Sequence, residues 1–161
     1  MSITIDTNFP GGNACDIVIN EKQTPPSVEF AADPHGGPET LWFDLIIRSK
    51  PKVRALKLVL KHFRNSLGGN IDGINGLRPV IRSGSSDWTR LPAGTVSRYP
   101  DGCADIIWEI ASPGSKLEVA FCYPYGEPEL DALVNETGLA RDIIGVSQGG
   151  RQIARLSNSC G

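Results

Sequence analysis

"LWFDLIIRSKPKVRALKLVLKHF", residues 41–63, decides the fold class. Leu41, Phe43, Leu45 and Ile47 share one face of an extended chain, with Asp44 and Arg48 on the other. From residue 55, Leu56, Leu58 and Leu60 alternate with Lys57 and Lys61. A period of two marks a strand with one buried face, whereas a helix would bring apolar residues together every three or four positions. The alternation returns in 104–110, where Ile106, Trp108 and Ile110 oppose Asp105 and Glu109. It returns again in 116–123, where Leu117, Val119, Phe121 and Tyr123 oppose Lys116 and Glu118. Shorter strands are expected at 3–6, 15–20, 27–31, 77–82 and 88–91.

Breakers separate these runs: Pro-Gly-Gly at 10–12, Pro-Pro at 25–26, His-Gly-Gly-Pro at 35–38, Pro-Asp-Gly at 100–102 and Pro-Gly at 113–114. Many short strands, each with one apolar face, bury those faces on one another. The expected fold is therefore mostly β, an antiparallel two-sheet β-sandwich over residues 1–125. After Tyr125 the pattern changes. Pro128 suits a first helical turn, Leu130, Leu133 and Val134 fall on one stripe, and Gly138 stops the helix. "RDIIGVSQGGRQIARLSN", residues 141–158, then reads as two strands joined at Gln148–Arg151, a C-terminal hairpin. A sandwich has no need of this helix and hairpin, so residues 126–161 are expected to begin a truncated second domain or to form an interdomain linker.

The chain has 161 residues, 40% hydrophobic and 21% charged, with a formal net charge of −2. That length and composition suit one globular domain or one domain and the start of another. The charges are interspersed, so nothing points to nucleic acid or to a membrane surface. The N-terminus has no basic and apolar leader pattern, and no apolar run reaches the roughly 20 residues of a membrane span. A cytoplasmic location is expected. Cys15, Cys103, Cys122 and Cys160 lie far apart without metal-binding spacing and are read as reduced thiols.

A search for catalytic chemistry finds little. The two histidines, His35 and His62, are not followed three positions later by a carboxylate; Pro38 and Asn65 stand there. His62 falls on the apolar face of its strand and reads as a core-edge residue rather than a ligand. There is no GxSxG, no Gly-rich phosphate loop, and "SGSSDW" at 83–88 reads as a polar turn that Asp87 could cap. No catalytic residue and no metal ligand is assigned. Among the aromatics Trp108 belongs to the core, while Trp42 and Trp88 are the candidates for exposed, recognition-competent rings.

The order of several motifs is nevertheless suggestive: Phe9 to Asn13 (Phe-x-x-Gly-Asn), Trp42-Phe43, Arg78-Pro79, Trp88 to Arg90 (Trp-x-Arg), and the Ala120 to Tyr125 junction. Over residues 3–157 this series resembles the N-terminal β-sandwich domain of the cytosolic carboxypeptidase-like branch of zinc metallocarboxypeptidases. The junction has Phe121 where the family has a tyrosine, continues as Gly126-Glu127-Pro128, and Asp44 follows Phe43 where relatives carry a large residue. The resemblance implies a non-catalytic accessory domain that supports the folding and substrate entrance of a zinc carboxypeptidase. Tyr123, Pro124, Tyr125, Leu130, Leu133 and Val134 would then form an interdomain interface. Its partner would be the chain's own catalytic domain, with self-association as a further use of the same surface. Zinc would belong to that catalytic domain, and no cofactor is expected in this chain. A free-standing sandwich module that binds carbohydrate or peptide through Trp42, Trp88 or Tyr99 is the alternative.

Overall fold

The computed structural model describes residues 1–34, 41–63 and 75–158. His35 and Cys160 lie outside them. The chain divides into two compact units, 1–124 and 125–161.

The first unit is organised by two long strands. β4 (Asp44–Phe63) and β8 (Ala104–Ala120) pair antiparallel from one end to the other, from Asp44 opposite Ala120 to Phe63 opposite Ala104. The others are β1 (Ser2–Asp6), β2 (Cys15–Asn20), β3 (Ser27–Ala31), β5 (Val80–Ser83), β6 (Thr89–Arg90) and β7 (Thr95–Arg98). β1 and β5 join the pair at one end, beside residues 46–50 and 117–120, with β6 beyond β5. β3 and β7 join at the other end, beside residues 57–60 and 104–107, with β2 beyond β3.

Between the two ends both long strands are irregular. The ladder breaks at Arg48/Val53 and again at Val53/Ala55, while Ser112 and Gly114 adopt φ of 52° and 79° on the facing strand. The pair folds back on itself there. Phe30 of β3 is bonded beside Leu60, yet its ring meets that of Phe43 edge-on at 5.3 Å. On a straight strand residues 43 and 60 would stand about 55 Å apart. The apolar faces of the two halves therefore meet, and Phe30, Phe43, Leu45, Leu58, Leu60, Ile106, Leu117 and Val119 form one core cluster.

The sandwich expectation is corrected in two respects. Its layers are halves of a single hydrogen-bonded eight-stranded sheet, and that sheet is mixed, because β3 runs parallel to β4. The physical reason is the fold-back: the chain leaves β3, starts β4 in the opposite layer, and returns alongside β3 in the same direction. Four strands expected at 41–48, 55–63, 104–110 and 116–123 are accordingly two.

The second unit comprises α1 (Glu127–Thr137) and the hairpin of β9 (Ala140–Val146) and β10 (Gln152–Ser157), paired antiparallel. Gly138 ends the helix in the left-handed region, at φ 67°, and its amide donates to the Val134 carbonyl at 2.9 Å. Ser147 and Arg151 close the hairpin turn, N–H to O 2.7 Å.

Candidate functional site

The junction between sandwich and second unit is anchored at its first residue. The Phe121 amide donates to the Phe43 carbonyl at 2.9 Å, and the Phe121 ring packs edge-on against Phe43 at 5.8 Å. Beyond this anchor the aromatics turn to solvent: Tyr123 is 52% and Tyr125 65% exposed, with Pro124 half-buried between them. The Arg90 guanidinium lies over the Tyr123 ring, 5.1 Å from its centre, and donates to the Arg78 carbonyl at 2.7 Å.

In the second unit Leu130, Leu133 and Val134 are half-buried, and no residue of α1 is fully buried. Arg141 of β9 grips Glu127 at 2.7 Å and Asp131 at 2.6 Å, one helical turn apart, and so ties helix to hairpin. The hairpin leaves Ile143, Ile144, Val146 and Ile153 between 45% and 63% exposed. The register slips between Ile153 and Ala154, so Ile144 is an extra residue on β9, a bulge.

Trp42 and Trp88 are half-buried and engaged. The Trp42 indole N–H donates to the Gly11 carbonyl at 2.6 Å, and the Arg82 guanidinium lies over Trp88, 4.6 Å from the ring centre. Ser86, not Asp87, caps the preceding turn: its hydroxyl accepts from the Ser83 amide at 3.2 Å. The shorter serine hydroxyl reaches back three residues while Asp87 stays exposed.

Two polar clusters were not singled out from the sequence. On the outer sheet face near the junction, Glu118 receives Arg82 at 2.5 Å and Lys116 at 2.6 Å. Burial alone would raise the Glu118 carboxyl, but these two cations hold it below its usual range. Asp44, 5% exposed, is pushed up to about 7, by burial first and then by the Glu118 charge, against the pull of Arg82. At the opposite end Asp105 accepts from Lys61 Nζ at 2.5 Å, Tyr99 Oη at 2.7 Å and the His62 amide at 3.0 Å. Burial opposes ionisation there too, and the three donors outweigh it, so its pKa falls. His62 stacks on Tyr99 with ring centres 5.3 Å apart.

Neither cluster is arranged for nucleophilic catalysis. A cleft of about 190 Å³ beside His62 contains Cys15, Asp16 and Lys61. Burial, aided by Asp16 and Asp33, pushes the Cys15 thiol up, which disfavours the thiolate nucleophile. Lys61 is held protonated by its bond to Asp105. Among the described residues no three His, Cys, Asp or Glu side chains are grouped to hold a metal, and Cys15, Cys103 and Cys122 form no disulfide.

Comparison with known proteins adds a fold relationship. No family model matches the chain, and no curated protein does. Solved structures do. A metallo-carboxypeptidase from Burkholderia cenocepacia matches with a TM-score of 0.67 at 14% identity, over 96% of this chain and 39% of that one. A metallo-carboxypeptidase from Pseudomonas aeruginosa, solved in complex with (2-guanidinoethylmercapto)succinic acid, matches with a TM-score of 0.64 at 20% identity. There the match covers 95% of this chain and 39% of the other. In fold, this chain is similar to part of a metallo-carboxypeptidase. It spans about two fifths of the length of these neighbours.

Proposed function

We propose that the chain is the N-terminal accessory domain of a zinc carboxypeptidase of the cytosolic carboxypeptidase-like branch, cytoplasmic and itself non-catalytic. Its role is to cover one side of a catalytic domain, support its folding and shape the substrate entrance. The whole enzyme would release C-terminal residues from peptides or protein tails. Zinc would be held by residues outside this chain, polarising the scissile carbonyl and activating water.

The observation that carries this reading is the state of the second unit. A helix and a two-stranded hairpin with no fully buried residue, and with Ile143, Ile144, Val146 and Ile153 bare, is marginal by itself in water. Apolar surface of this kind marks an interaction site. Tyr123 and Tyr125 project from the adjoining junction. The interface would therefore comprise Tyr123, Pro124, Tyr125, Leu130, Leu133 and Val134, and the second unit would add its hairpin apolars. In the absence of a partner the same surface would drive self-association. The binding-module alternative draws no support from Trp42 or Trp88, whose polar or π surfaces are already occupied within the chain.

The test is binding of an apolar-surface dye, with sedimentation velocity, on the full chain and on an Ile144→Ser/Val146→Ser variant. The account expects dye binding and concentration-dependent association that the double substitution reduces severalfold without altering the β-sheet circular dichroism. A monomer that binds no dye at any concentration overturns the interface.

A further inference from the structure

A different feature, independent of the carboxypeptidase reading, lies on the outer sheet face at the base of the junction. Asp44 and Glu118 stand on adjacent strands and on the same face, since Asp44 faces Ala120 and Glu118 faces Ile46. Both are buried, at 5% and 8% exposure. The neighbouring cations are shared unequally. Arg82 from β5 and Lys116 from β8 both bond Glu118, and among the described residues no hydrogen bond reaches the Asp44 carboxylate. In the Phe9–Asn13 turn, Asn13 exchanges backbone hydrogen bonds with Asp44 at 2.8 and 3.0 Å, a Cβ added at Gly11 would stand 4.0 Å from Asp44 Oδ2, and the turn brings no charge. Asp6 and Arg48, further along the same face, pair with each other at 3.8 Å. Arg82 has a matching defect: its Nε is buried without an acceptor. A buried donor without an acceptor thus sits on the same face as a carboxylate that receives no hydrogen bond, and the cation that carries the donor also covers the Trp88 ring.

We propose that Asp44, Glu118 and Arg82 form a proton-operated latch at the root of the junction. With Asp44 protonated, Arg82 lies on Glu118 and over Trp88. When Asp44 releases its proton to solvent, Arg82 is drawn between the two carboxylates and its hold on Trp88 loosens. A buried donor without an acceptor is costly, and an ionised Asp44 beside Glu118 repels it, so one movement of Arg82 supplies the acceptor and offsets the repulsion. The raised Asp44 ionisation places the change close to neutrality. The latch reaches the junction directly, because the Phe43 carbonyl preceding Asp44 receives the Phe121 amide, from which Cys122–Tyr125 departs.

The test follows the Trp88 contribution to fluorescence, taken as wild type minus Trp88→Phe, on the full chain through the neutral pH range. The expected result is one transition with a midpoint near 7. In Asp44→Asn that transition is absent and the signal stays at its acid-side value at all pH. A pH-independent Trp88 signal, or an unchanged transition in Asp44→Asn, overturns the latch. Should that variant not fold, carboxyl carbon-13 shifts of the wild type still decide the matter. Asp44 titrating near 3.8, the ordinary value, refutes the proposal.

Discussion

Replacing Phe30 and Phe43 by leucine, singly and together, tests whether the long strands fold back. Both rings are fully buried, and they touch edge-on at 5.3 Å with an interplanar angle of 68°. Leucine keeps the sites apolar but removes the ring edge and leaves a small void. Each single change should destabilise by about 1 to 3 kcal/mol, below the 3 to 5 typical of full truncation to alanine. An edge-to-face pair contributes about 0.5 to 1.5 kcal/mol beyond its buried area. The double variant should therefore be less destabilised than the sum of the singles by about that amount. The assay is equilibrium urea unfolding at fixed pH, with the slope checked for constancy so that midpoints convert to free energies. Residues far apart add within about 0.3 to 0.5 kcal/mol. Strict additivity would mean that Phe30 and Phe43 do not meet, and the folded-back sheet would be refuted.

Asp44 makes the stability depend on pH in an uncommon direction. Its carboxyl is raised from 3.8 to about 7, so the folded chain keeps a proton that the unfolded chain releases, and stability falls as pH rises through that window. The shift corresponds to an upper limit of about 4 kcal/mol, so Asp44→Asn should stabilise the chain above neutrality by about 2 kcal/mol and hardly at all in acid; thermal unfolding across pH checks this. Glu118 and Asp105, held below their usual range, act oppositely: their contributions are lost as pH falls through their folded values. Trp108 is 4% exposed with its indole nitrogen buried and unpaired, so Trp108→Phe should change stability by less than about 1 kcal/mol, since the lost area is offset by removal of an orphaned donor. Gly12→Ala should destabilise by about 2 kcal/mol or more, because its Cβ would stand 2.2 Å from the Thr7 carbonyl oxygen, a backbone atom with little freedom to move. Chemical denaturation reads both.

The alternation of Leu45, Ile47, Leu56, Leu58 and Leu60 made the strands legible, as did Pro128 and Gly138 for the helix and Gly149-Gly150 for the hairpin turn. Strand continuity was not legible. Pro51 and Pro113-Gly114 are written like turns, and a period-two pattern does not distinguish a strand that bends from two strands that are joined. Pairing direction is equally hidden, because the parallel contact of β3 with β4 arises from the fold-back and not from any local residue. β7, Thr95–Arg98, went unread because it has a single apolar residue, Val96, to mark it. The burial of Asp44 and Glu118 is hidden for a related reason. Alternation assigns them to solvent, whereas the long side chains of the neighbouring strands cover that face. A signal was present in the sequence: Asp44 directly follows the aromatic pair Trp42-Phe43 and precedes a wholly apolar run. The junction aromatics were legible as a cluster, but their exposure depends on the anchoring of Phe121 by Phe43, a contact between residues 78 positions apart in the chain.

On the proposed reading, this chain accompanies a carboxypeptidase active site held by residues outside it. Metal content of the purified full chain, measured by mass spectrometry after equilibration with zinc, together with release of C-terminal residues from mixed peptides, tests it most directly. No stoichiometric zinc and no release are expected. Bound zinc with activity would contradict it, and His35, His62 and the four cysteines would then have to supply the ligands.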